Sequence, residues 1–452
     1  MVDTHALGAC ALRHGGSSPL SRTKDFMKLD TKPYKGMRDF YPQDKASLDY
    51  IFNICRKVLY KYGYQEYDAP LIEPIELYLS KTSDEIVNDQ TYTFTDRGGR
   101  KVVIRPEMTP SVNRMVAARR QELSYPLRLF SVPNLLRYEQ PQNGRFREHW
   151  QLNVDLFGVR TVAAEIELIL IIENIFQEFG ADQSMFQIHI NSRQLLDDVL
   201  INNFKINPNY KDEIIHLIDR YHKLSLAKFS ESLVAIVKDD KLSKQIIDFL
   251  NCKSLAELKM FQTTALSGLE QIMGVSSLKN LVFDPTIVRG FNYYSDIVFE
   301  VYDADTVNSR AMAGGGRYND LIKNFGVESL PTVGFGLGDA SLSNFLKLHN
   351  LRQSIKNQGQ IGLLIIGDYY QQLIDIIEQI RSKDLSIVVN FSNRKINDQL
   401  KWALKNDFEY VIIVGEQEIN TQSFTIKNLV TKIQQTVSLE ELIAILSNQM
   451  KS

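Results

Sequence analysis

Arg137, Arg145 and Arg147 stand close together, and a run from His149 to Gly158 follows them directly. Guanidinium groups grip phosphate oxygens in pairs and keep their charge, so an arginine-rich loop between two strands suits phosphate recognition. Taken alone, it suits a solvated surface equally well. The run after it alternates. In a strand, Trp150, Leu152, Val154 and Leu156 face one side, and Gln151, Asn153 and Asp155 face the other. The polar side is either a solvated face or a floor under a small polar ligand, and the pattern alone leaves both open. Further on, Arg289-Gly290 taken alone is a loop, and Gly314-Gly315-Gly316 a tight turn.

The elements that must position these residues are readable from periodicity. Residues 45–62 place Leu48, Ile51, Phe52, Cys55 and Leu59 on one helical face, and Gly63 ends the run. Tyr92–Asp96 and Lys101–Ile104 flank Gly98-Gly99 as a hairpin. Leu127–Val132 and Trp150–Phe157 are expected as strands, 162–178 as an apolar helix stopped by Gly180, and 193–275 as a helical insert. Strand chemistry returns over Ile287–Tyr302 and Val333–Gly338. After a polar connector, Ile361–Ile366, Ser386–Phe391 and Tyr410–Val414 alternate with helices, which implies a parallel sheet. Ser438 and Glu441 form a capping box before a last helix. The fold expected is α+β: a large, mostly antiparallel body interrupted by helices, then a small α/β domain.

The chain has 452 residues, too many for one ordinary core. Its 44% hydrophobic and 23% charged residues are those of a soluble globular protein. No apolar run approaches the ~20 residues of a membrane helix. A net charge of -2 argues against a general nucleic-acid coat but leaves room for a local basic patch. Cys10, Cys55 and Cys252 form no metal-ligand or redox spacing, as expected in a reducing compartment, and the expected location is cytoplasmic. Residues 1–30 are expected to be a disordered leader or the product of an upstream start.

Several segments carry a family resemblance. Arg137 to Gly158 resembles motif 2 of the class II aminoacyl-tRNA synthetases, in the form found in the histidyl-tRNA synthetase family. Val288-Arg289-Gly290-Phe291-Asn292-Tyr293-Tyr294, followed by Val298-Phe299-Glu300, resembles that family's histidine-specific motif, and Ala313-Gly314-Gly315-Gly316-Arg317-Tyr318 the glycine motif after it. Ile104 to Pro110 is similar to its substrate-binding turn, and Gly36-Met37-Arg38-Asp39-Phe40 to its opening. The dimer-forming motif 1 contains Pro70, and the C-terminal segment is similar to an anticodon-binding domain.

The resemblance covers about residues 33–450. It implies a class II antiparallel-sheet catalytic domain over 31–192 and 276–350, the helical insert over 193–275, and an anticodon-binding domain over 359–452. It also implies a ligase that joins L-histidine to tRNA(His) through histidyl-adenylate, using ATP with Mg²⁺ and working as a homodimer away from membranes. Arg137 and Arg289 would clamp the α-phosphate, as the catalytic pair. Glu107, Thr109 and Gln151 would hold the substrate ammonium; Asp155 and Tyr294 would read the imidazole; Tyr293 would line the pocket. Arg145 and Arg317 would meet ATP, Gln142 would meet the tRNA acceptor end, and no dedicated metal site is expected.

Two positions depart from the family pattern. Asn292 stands where the histidine-specific motif has Asp, keeping the shape and losing a charge. Motif 3 should end in Glu-Arg, whose arginine contacts ATP, and Asp339-Ala340-Ser341 stands there instead. Losing such a contact costs ~1.5–3 kcal/mol. Arg317 is the expected substitute. The rival readings are a catalytically silent paralogue regulating histidine biosynthesis, or an RNA-binding module on the same scaffold.

Overall fold

The computed structural model describes residues 29–79, 90–140, 144–290, 293–305, 308, 310–351 and 360–449. The leader expected over 1–30 thus lies almost wholly outside the described residues, as do Gln142 and Asn292.

The strands are β1 (Gln65–Glu66), β2 (Ile72–Pro74), β3 (Tyr92–Thr95), β4 (Lys101–Ile104), β5 (Leu127–Ser131), β6 (Asn134–Leu136), β7 (Glu148–Phe157), β8 (Phe186–Ser192), β9 (Leu281–Phe283), β10 (Ile297–Asp303), β11 (Ala313–Arg317) and β12 (Thr332–Gly338). Among the described residues, a nine-stranded sheet runs β1-β5-β7-β12-β11-β10-β8-β9, with β6 paired to β7. Its pairs are antiparallel except β1 with β5 and β8 with β9. The expected hairpin across Gly98-Gly99 joins β3 to β4.

One face of this sheet is the core. Leu152, Val154 and Leu156 of β7 pack there with Leu48, Ile51, Phe52, Cys55 and Leu59 of the helix Pro42–Lys61. Leu168, Ile169 and Ile172 of the helix Ala163–Glu178 join them. Both helices stop near glycines with left-handed backbones, Gly63 at φ +77° and Gly180 at φ +87°, which glycine adopts without a Cβ penalty. The helices between Arg193 and Met273 bury Ile214, Phe229, Ile246 and Phe249 in that same cluster. The insert therefore shares the body's core.

Two expectations need correcting. Ile287–Tyr302 is not one strand, because only Ile297–Asp303 pairs in the sheet. Arg289 sits at φ +59°, a left-handed conformation that ends an extended run. That loop is tied to the sheet: Asn191 donates to the carbonyls of Pro285 and Ile287, each at 3.0 Å, and Arg193 donates to that of Val288 at 2.8 Å. Gly314–Gly316 is no turn but the middle of the buried strand β11.

The C-terminal segment builds a second sheet with its own core around Ile361, Ile377, Ile412 and Leu442. Its strands are β13 (Gln360–Ile365), β14 (Ser386–Asn390), β15 (Tyr410–Val414), β16 (Ser423–Asn428) and β17 (Gln434–Ser438). The alternating strands and helices make β14-β13-β15 parallel as expected, and an antiparallel hairpin extends the edge. The capping box closes: the Ser438 amide donates to Glu441 at 3.0 Å, and the Glu441 amide donates to the Ser438 hydroxyl at 3.3 Å. No helix among the described residues is long and apolar enough to cross a membrane.

Candidate active site

On the other face of the nine-stranded sheet lies a cavity of about 1170 Å³. Its floor is stripped of side chains. Antiparallel register sets Gly314 opposite Gly336, Gly334 opposite Asp155, and Gly336 opposite Asn153. A Cβ on Gly334 would stand 2.3 Å from Asp155 Oδ1, and one on Gly336 2.7 Å from Gln151 Nε2. Glycine is required because neighbouring polar side chains lie flat over the space it leaves.

Above this floor, the arginines gather from separate elements. The left-handed turn delivers Arg289 onto β11, where a Cβ on Gly314 would lie 2.1 Å from its Nη1. Nη1 donates to Glu300 Oε1 at 2.7 Å, and the Tyr302 hydroxyl donates to the other oxygen of Glu300. Arg137 is braced by Nε donating to the Pro106 carbonyl at 2.9 Å. Arg145 pairs with Glu139 at 2.8 Å and keeps 55% of its side chain exposed, which leaves it open to a ligand from solvent. His149 stands partly buried among these cations. Burial, then the charges of Arg137, Arg38 and Arg145, push its pKa down to about 3, so the imidazole is neutral.

Deeper in, the groups are acceptors. Glu107 is buried and accepts from the Tyr293 hydroxyl at 3.2 Å. Asp155 accepts from the Tyr318 hydroxyl. Burial raises the Asp155 pKa to about 7, against the lowering effect of that hydrogen bond. Tyr293 and Tyr294 pack with ring centroids 4.8 Å apart. The site thus sets guanidinium groups at one side and a buried carboxylate pocket at the other. Such a site can take a ligand with an anionic part and a cationic or proton-donating part.

Arg137, Arg145, Arg289, Glu107, Thr109, Gln151, Asp155, Tyr293 and Tyr294 all line this one cavity. Arg317 does not, and that expectation is corrected. It lies on the core side of β11, out of step with Gly314 and Gly316. Its Nε and Nη2 donate to Glu165, each at 2.6 Å, and it also donates to the carbonyls of Val159 and Thr161, each at 3.0 Å. With its guanidinium already committed, it is a buried structural ion pair and no substitute for the missing motif 3 arginine. Asp339, beside that gap, accepts from the Trp150 amide at 3.0 Å and from Arg38 at 2.8 Å.

Two of the pocket residues that sequence reasoning missed are Tyr318 and Glu300. Strand parity, counted from Gly314 and Gly316, would have found Tyr318. Glu300 is the cross-strand partner of Gly314, a pairing that only the register reveals. Among the described residues, no group of three or more His, Cys, Asp or Glu side chains is arranged to hold a metal.

A model described as histidyl-tRNA synthetase matches residues 36–341, and one described as anticodon binding domain matches 360–449. The histidine–tRNA ligase of Leptospira biflexa is 39% identical over 424 residues, which cover 92% of this chain and 97% of that protein. The chloroplastic/mitochondrial histidine–tRNA ligase of Arabidopsis thaliana is 32% identical, covering 96% of this chain and 92% of its own. A Nostoc histidyl-tRNA synthetase structure superposes with TM-score 0.76 at 22% identity, covering 93% of this chain and all of that one. A Bacillus halodurans structure titled as an ATP phosphoribosyltransferase regulatory subunit/histidyl-tRNA synthetase reaches TM-score 0.71 at 21% identity, over 86% of this chain and 99% of its own. At those identities, the structural likeness speaks for the fold.

Proposed function

The chain belongs to the histidyl-tRNA synthetase family, and from that membership we propose the chemistry of its cavity: ATP-dependent activation of L-histidine and its transfer to tRNA(His). The observation that carries this reading is the pairing of Arg289 above the glycine floor with the buried carboxylates Glu107 and Asp155 in the same cavity.

In the first step, a carboxylate oxygen of histidine attacks the α-phosphorus of ATP. The bond to the bridging oxygen breaks, and pyrophosphate leaves. Arg289 and Arg137 neutralise the charge that builds on the α-phosphate oxygens, from positions set before the substrate arrives. Glu107, Thr109 and Gln151 accept from the substrate ammonium. Asp155, held by Tyr318, accepts from one imidazole nitrogen, and Tyr294 addresses the other. Arg145, on the solvent side, meets the ATP phosphates, and Mg²⁺ arrives as part of the ATP complex, coordinated mainly by phosphates. In the second step, a terminal ribose hydroxyl of the tRNA attacks the acyl carbon, and AMP leaves. Gln142, between β6 and β7 in sequence, belongs to the tRNA side of this step.

We assign 31–192 and 276–350 to catalysis, 193–275 to contact with the tRNA acceptor arm, and 359–452 to the anticodon. The protein works as a cytoplasmic homodimer in this reading. Leu71 and Ile72 beside Pro70 are 42% and 48% exposed, which suits a partner surface there. The rival regulatory reading is not favoured, because a protein freed from catalysis has no physical reason to keep the phosphate arginines and the acceptor pocket together.

Charging of total tRNA with labelled histidine tests the proposal. Label should pass into acid-precipitable RNA with wild-type protein and fail with Asp155→Ala. A folded wild-type protein that charges no tRNA would overturn it.

A further inference from the structure

Ala340 and Ser341 leave the cavity wall at the start of the helix Asp339–Leu348 without the cation that motif 3 of the family would place there. Arg310 lines the same cavity. Ala313 pairs with Leu337, and the Gly338 amide donates to the Met312 carbonyl at 3.2 Å. Arg310 stands two residues before Met312, so the chain that carries it reaches the cavity beside Gly338 and the start of the helix Asp339–Leu348.

We propose that Arg310 binds the terminal phosphate of ATP, replacing from the segment before β11 the arginine that position 341 lacks. The proposal rests on reading the cavity as an ATP site. Arg289 lies over Gly314 within β11, whereas Arg310 precedes that strand, toward Met312 and Gly338. The two arginines therefore address different ends of an extended anion. A triphosphate has two such ends, whereas the single phosphate of AMP reaches only the Arg289 end. Moving the cation from the helix to the segment before β11 keeps a positive charge on the cavity that Ala340 and Ser341 also line.

The experiment is calorimetric binding of ATP and of AMP to the full chain, with wild type, Arg310→Ala, Arg310→Lys and the double variant Arg310→Ala/Ser341→Arg, alongside ATP–pyrophosphate exchange. Thermal melting first confirms that each variant is folded. Arg310→Ala should weaken ATP roughly 10- to 100-fold and leave AMP unchanged. Arg310→Lys should recover part of the loss, and the double variant most of it. In exchange, the KM for ATP should rise while the KM for histidine stays put. Equal losses for ATP and AMP, no loss for either, or a wild type that binds ATP no better than AMP would overturn the proposal. A wild type that prefers ATP through Arg310 yet shows no exchange supports Arg310 and removes the synthetase reading instead.

Discussion

The two faces of β7, β11 and β12 are made from the same strands and do opposite things with charge. On the core face, Arg317 and Glu165 are 5% and 0% exposed at their side chains and satisfy one another in two parallel bonds. On the cavity face, Arg289 and Glu300 form a single bond, with side chains 17% and 18% exposed. The first pair is closed to any ligand. The second leaves guanidinium surface directed into a cavity. An arginine is thus structural or functional according to strand parity and the number of donors already used, and residue type does not distinguish them. Stripping the cavity face of side chains at Gly314, Gly334 and Gly336 is what makes the difference, since it lets long side chains lie down where a Cβ would stand.

The largest effect that could break this comparison is on stability. Removing one partner of a fully buried pair strands the other, so Arg317→Ala should cost ~3–5 kcal/mol, read as a lower denaturant midpoint. Arg289→Ala should cost less stability and instead lower the exchange rate by ~10²–10³-fold, the scale of losing one preorganised donor to transition-state charge. If the two variants behave alike in both assays, the distinction between faces is wrong.

Next comes Gly334→Ala. Its Cβ would stand 2.3 Å from Asp155 Oδ1 and 2.9 Å from the Val154 carbonyl, so overpacking should cost ~1–3 kcal/mol. Kinetically, it should appear as a higher KM for histidine with an unchanged KM for ATP.

The last effect depends on pH: the stability change in Asp155→Asn. A carboxyl whose folded pKa of about 7 lies above its ordinary 3.8 holds its proton more tightly when folded. The folded wild type therefore loses stability as pH rises from about 4 to 7, and no further above that. Asparagine removes this loss, so the variant should melt higher than wild type at pH 8, by a margin that shrinks toward pH 5, while histidine-dependent exchange falls. Melting curves across that range check the sign.

Much of this was legible in sequence. The β7 alternation placed Gln151, Asn153 and Asp155 correctly on the polar side, and the C-terminal alternation of strands and helices placed a parallel sheet. Three things were not. Arg317 follows a glycine run that reads as a turn; only once that run is a strand does parity send the side chain into the core. The Arg289 loop reads as strand because Ile287, Val288 and the tyrosines after it favour extended chain, while the left-handed turn comes from tethers far away in sequence, Asn191 and Arg193. The hairpin of β16 and β17 carries a mostly exposed outer strand without an apolar run, so periodicity had nothing to detect.

ATP–pyrophosphate exchange, measured on wild type and Arg289→Ala with histidine, with each other amino acid, and with none, tests the activity assigned to this cavity. Exchange that requires both histidine and Arg289 is the predicted result. A folded wild type that exchanges nothing at saturating ATP, or exchanges equally well without histidine, would contradict it.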